Sequence, residues 1–129
     1  AHKMDLFTIP YVVTPEEARG MAEAGADVVI AHVGCTIGGS IGVTDATVSM
    51  DSAVKATQEI CDAVHSVRKD VMVLSHGGPI LTPENAAYVC EHTDAVGFVG
   101  ASSLERMAIE QPLTELTRQF KSIPVKRIH

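Results

Sequence analysis

Apolar runs of strand length alternate along this chain with stretches whose apolar residues recur every three or four positions. The first run, Leu6-Phe7-Thr8-Ile9-Pro10-Tyr11-Val12-Val13, predicts a strand ending near Tyr11. Pro10 belongs at its end or at a bulge, because proline brings no N–H to a ladder. Thr14-Pro15-Glu16-Glu17 then has the form of a helix start. The Thr14 hydroxyl can cap, Pro15 suits the first turn, and Glu17 can complete a capping box. Ala18, Met21 and Ala22 supply the apolar stripe, and Gly25 is a stop. Ala26 to His32 is a near-continuous apolar run, as expected of a parallel strand covered on both faces.

A glycine-rich polar segment from about Val33 to Met50 follows, longer than the usual connection between a strand and a helix. From about Asp51 the residues Val54, Thr57, Ile60, Cys61, Val64 and Val67 recur at helical spacing. Val71 to Ser75 predicts a third strand, and Thr82 to His92 a third helix with Ala86, Ala87, Val89 and Cys90 inward. Ala95 to Val99 predicts a fourth strand, 102–106 a short helical turn, and 111–121 a last helix before a loose basic tail at 122–129. Thr14-Pro15-Glu16-Glu17-Ala18 is echoed by Thr82-Pro83-Glu84-Asn85-Ala86, so the repeat is a pair of βα modules. Four βα units in succession mean an α/β fold with parallel strands and right-handed crossovers. Two architectures satisfy that: a small open doubly wound sheet, or half of a (β/α)8 barrel, which in full needs about 200–250 residues or more.

Composition narrows the picture. The 129 residues fit one domain, 1–129, and the scarcity of aromatics makes the core aliphatic. A net charge of −6 argues against nucleic acid or an anionic membrane as partner, but not against a small anion held locally. Cys35, Cys61 and Cys90 are widely spaced and fit reduced thiols of a cytoplasmic protein better than a disulfide framework. The sequence opens on Ala1 rather than Met, which points to a fragment or a processed product.

The chemistry gathers at the ends of the predicted strands. His32 and His76 each close an apolar run, and in a parallel sheet both reach the same rim. Gly77-Gly78 and Gly100-Ala101-Ser102-Ser103 are turns where backbone N–H groups and hydroxyls can approach an anion, most simply phosphate. Arg106 is the cation nearest these loops, with Glu105 beside it. Gly34 to Gly42 contains no Lys or Arg and offers Thr36, Gly38, Gly39 and Ser40 to a ligand. Each feature also has a plain structural use, as a turn glycine, a helix cap or a surface ion pair. Asp27 and Asp94 precede strands at the far end of the sheet and are expected to be structural. No cluster of carboxylates has metal-ligand spacing.

Gly25-Ala26-Asp27, Ala31-His32-Val33-Gly34, Thr36-Ile37-Gly38-Gly39-Ser40-Ile41-Gly42, Leu74-Ser75-His76-Gly77-Gly78-Pro79-Ile80 and Gly97 to Arg106 together resemble the phosphoenolpyruvate hydrolase-like family, also described as TIM-barrel signal-transduction proteins. The resemblance covers nearly the whole chain. It implies a (β/α)8 barrel of which this chain is the C-terminal half, roughly strands five to eight. It implies small phosphorylated or carboxylated keto acids as ligands, and a hydrolase or lyase acting on a C–P or phosphoester bond. His32, His76 and Glu105 would be catalytic, and the glycine and serine loops with Arg106 would bind phosphate. The wider group usually uses Mg²⁺, whose carboxylate ligands would lie in the missing half, so the half-barrel alone is expected to be inactive. A half-barrel leaves strand edges unpaired, so the missing half or a second copy of the chain is the expected partner. The alternative is a non-catalytic module that senses a metabolite in the same pocket.

Overall fold

The computed structural model describes residues 1–37 and 48–124. Gly38, Gly39 and Ser40 of the predicted ligand loop, and 125–129 of the predicted basic tail, lie outside the described residues. A 3₁₀ turn over His2–Met4 precedes four strands, β1 (Tyr11–Val12), β2 (Val28–His32), β3 (Met72–His76) and β4 (Gly97–Phe98). The helices are α1 (Pro15–Glu23), α2 (Met50–His65), α3 (Pro83–Glu91), α4 (Ser102–Glu105) and α5 (Met107–Lys121). The strands form one sheet in the order β1-β2-β3-β4, every pair parallel. A doubly wound sheet reverses its strand order at a switch point. This one runs in chain order without reversal, as the strands of a barrel do.

The two faces of the sheet are covered differently. Val12, Val29, Ala31 and Val73 share one face and one core cluster with Ala18 and Ala22 of α1 and Ile60, Cys61 and Val64 of α2. Alternate residues point the other way: Tyr11, Ile30 and His32, then Met72, Leu74 and His76. That second face is partly open, with Tyr11 51% and Met72 49% exposed. In a (β/α)8 barrel the corresponding face is the inner wall.

Local chemistry sets the element ends. Thr14 accepts from the Glu17 N–H, while the Glu17 carboxylate accepts from the N–H groups of Val13 and Thr14. Thr82 and Asn85 repeat the capping box at α3, with an amide in place of the carboxylate. Gly25, at φ 94°, ends the α1 turn as expected. Asp27 holds the strand entry by accepting from both the N–H and the hydroxyl of Thr8, at 2.7 and 2.9 Å. Before β4, the Asp94 carboxylate accepts from Gln58 Nε2 of α2 and the Asp94 N–H donates back to Gln58 Oε1. Both aspartates therefore have the structural use expected of them.

Several boundaries differ from the sequence reading. Regular β1 pairing is confined to Tyr11–Val12, although the carbonyls of Thr8 and Pro10 still accept from Val28 and Ile30. Pro10, lacking an N–H, cannot continue the ladder. Ala87 is exposed rather than inward, and Val89 carries the burial of α3. The last helix begins at Met107, one turn before the expected 111, and runs through Pro112. Its Ile109, Leu113, Leu116 and Phe120 are exposed along one stripe. His65, in the last turn of α2, places Nε2 3.2 Å from the Val71 carbonyl.

Candidate functional site

Register brings the two histidines together. His32 and His76 are direct partners at the C-terminal ends of β2 and β3, with ring centroids 5.1 Å apart. Tyr11, the first residue of the two-residue β1, completes the group: its ring stands edge-on to both, 5.8 Å from His32 and 5.0 Å from His76. Sequence reasoning placed Tyr11 only at a strand end. The signal that could have found it is period two: Tyr11 pairs with Ile30, which shares a face with His32.

Each imidazole is held by backbone. The Gly34 N–H donates to Nδ1 of His32 at 3.3 Å. Nδ1–H of His76 donates to the Val99 carbonyl at 2.7 Å, tying the rim to the loop after β4. That loop carries Gly100, Ala101, Ser102 and Ser103. Both serines are half-buried, and the Leu104 and Glu105 amides turn back onto the Ala101 carbonyl.

The two glycines after β3 are buried and serve the joint between loops. Gly78 gives its N–H to the Gly34 carbonyl at 2.8 Å and accepts from Ile37 at 3.4 Å. The Gly78 amide is thus spent inside the protein rather than turned toward a ligand. Gly77 and Gly78 have φ of 83° and 56°, the left-handed region that favours glycine. Thr36 is half-buried on the same β2 loop. Arg106 donates to Glu110 at 2.6 Å, so its charge is largely met within the chain. Glu105 is exposed on α4.

Mg²⁺ takes oxygen ligands, chiefly carboxylates and water. The rim offers imidazoles, a phenol and hydroxyls. Among the described residues no three His, Cys, Asp or Glu side chains group closely enough to hold a metal ion. The described residues of the rim therefore do not fit a Mg²⁺ site. Nor, among them, is any helix long and apolar enough to cross a membrane.

A parallel sheet in chain order, helices on its outer face and polar groups at its C-terminal rim define the TIM-barrel class. A solved TIM-barrel enzyme, nitroalkane oxidase from Streptomyces ansochromogenes, superposes with a TM-score of 0.51 at 28% identity, covering 80% of this chain and 29% of that one. Within the class, the chain belongs to the phosphoenolpyruvate hydrolase-like family, whose model matches residues 1–123. It is 51% identical over 127 residues to two Solanum lycopersicum proteins, ToMV susceptible protein tm-1(GCR26) and ToMV resistance protein Tm-1(GCR237). Each match takes in 98% of this chain but 17% of the relative, so the chain spans about a sixth of their length.

Proposed function

We propose that this chain supplies half of the ligand rim of a (β/α)8 barrel that binds a small carboxylated or phosphorylated acid and, in the complete barrel, acts on it as a hydrolase or lyase. The observation that carries this reading is the convergence of Tyr11 of β1 with His32 and His76 at the C-terminal ends of β2 and β3, the end where barrels place their chemistry. The Ser102 and Ser103 hydroxyls, on the loop that Val99 ties to His76, would hold a phosphate or carboxylate oxygen. The family match supports the substrate class. Titration calorimetry of phosphoenolpyruvate against a longer protein containing this chain tests it. Binding is expected, and replacing Ser102 and Ser103 together by alanine should weaken it roughly tenfold, at about 1 kcal/mol per hydrogen bond. No measurable binding by the longer protein would end the proposal.

A second reading draws on the tomato relatives, which are named for virus susceptibility and resistance rather than for a reaction. In it the same rim binds a metabolite without converting it. Binding without turnover by the longer protein selects this reading.

Expressed alone, the chain is expected to pair with a second copy. β1 and β4 are the edges of the sheet, and all strands run in one sense. A two-fold axis along the barrel would set β4 of each copy against β1 of the other, satisfying both edges and covering Tyr11 and Met72. Light scattering at micromolar concentration should give twice 13.7 kDa. A stable monomer would contradict it.

A further inference from the structure

We infer that the two rim histidines present opposite functions to a ligand, His32 a donor and His76 an acceptor, and that the rim therefore selects a small 2-hydroxy acid over the matching 2-keto acid. This rests on the proposed function and narrows its ligand.

The assignment follows from what holds each ring. A backbone N–H can only donate, so Nδ1 of His32, which receives the Gly34 N–H, carries the lone pair. The proton of the neutral ring then sits on Nε2. A carbonyl can only accept, so Nδ1 of His76, 2.7 Å from the Val99 oxygen, carries the proton. The lone pair of that neutral ring is left on Nε2. Among the described residues neither Nε2 has a hydrogen-bond partner. Two neighbouring rings on one rim thus offer one N–H and one lone pair.

A 2-hydroxy acid matches both: its carboxylate oxygen accepts from His32, and its hydroxyl donates to His76. A 2-keto acid offers acceptors only and sets a carbonyl oxygen against the His76 lone pair. A site built to receive a hydroxyl rejects the analogue that lacks it, because its own polar group is left unpaired.

Lactate and pyruvate differ in that group alone, and nuclear magnetic resonance of the full chain at pH 8, where an ordinary imidazole is neutral, can follow both. Imidazole ¹H–¹⁵N spectra should show His76 protonated on Nδ1 and His32 on Nε2; finding the same tautomer at both would overturn the inference. Lactate should bind at least about tenfold tighter than pyruvate. His76→Asn keeps a donor for the Val99 carbonyl and removes the distal lone pair, and it should abolish that preference while the fold persists. A preference that survives H76N would also overturn the inference. Binding of phosphoenolpyruvate without any lactate preference would sink this inference alone. Binding of none of these acids, here or by the longer protein, would sink it together with the proposed function.

Discussion

Gly77→Ala is expected to lower the stability of the fold by about 3 kcal/mol or more. A Cβ added at Gly77 would stand 2.3 Å from the Gly34 carbonyl oxygen, and that neighbour is backbone. The residue also sits at φ 83°, where an L side chain costs about 1–2 kcal/mol. Relief of the clash moves the β2 loop off the β3 loop and breaks the Gly78 N–H bond to Gly34. The same displacement removes the Gly34 N–H from His32, so the rim loosens along with the fold. Gly20→Ala is the control: a Cβ there meets nothing within 4 Å, and in the interior of α1 it should stabilise by roughly 0.5–1 kcal/mol. Urea unfolding at constant m reads both, and a G77A midpoint equal to that of the unsubstituted chain would refute the account of this joint.

The second large effect is alkaline. Cys61 is fully buried against the sheet, and burial, with Asp94 and Asp62 nearby, pushes its thiol from an ordinary 9.0 up to about 12. Between these values the unfolded chain gives up the thiol proton while the folded chain keeps it. The folded state then binds more protons, so stability falls as pH rises, by up to about 1.4 kcal/mol per pH unit. The contribution is whole below about pH 9 and is lost on the way to about 12. Cys61→Ala should flatten the decline across that window, although it loses some packing at every pH. An unchanged slope in C61A would show that the thiol is not the titrating group. In the folded chain at neutral pH, a thiol reagent should label exposed Cys35 readily and leave Cys61 untouched.

Much of this arrangement was legible in the residues. The capping residues Thr14 and Thr82 and the stop at Gly25 are local devices, and local sequence specifies them. The parallel sheet followed from the βα alternation, and with it the meeting of His32 and His76. What was not legible depends on contacts distant in sequence. Tyr11 joins the rim only through the β1–β2 register, which a two-residue strand beside a proline does not advertise. Gly77 and Gly78 suggest an anion cradle by composition, yet the Gly34 carbonyl, more than forty positions earlier, takes the Gly78 amide. Arg106 was the nearest cation to the loops, but Glu110 lies one helical turn on, and the helix forms early enough to pair them. The last helix is expected from 111, whereas α5 begins a turn sooner and carries Pro112 inside.

The central claim is that the C-terminal rim of the sheet is where a small acid binds, and backbone amide shifts of this chain during titration with millimolar phosphoenolpyruvate test it most directly. The account predicts that the largest shifts fall on Tyr11, His32, Gly34, His76 and the Val99–Ser103 loop. Shifts gathered instead at the opposite end of the sheet, where Lys3, Thr8, Met21 and Gly25 line a surface depression, would contradict it.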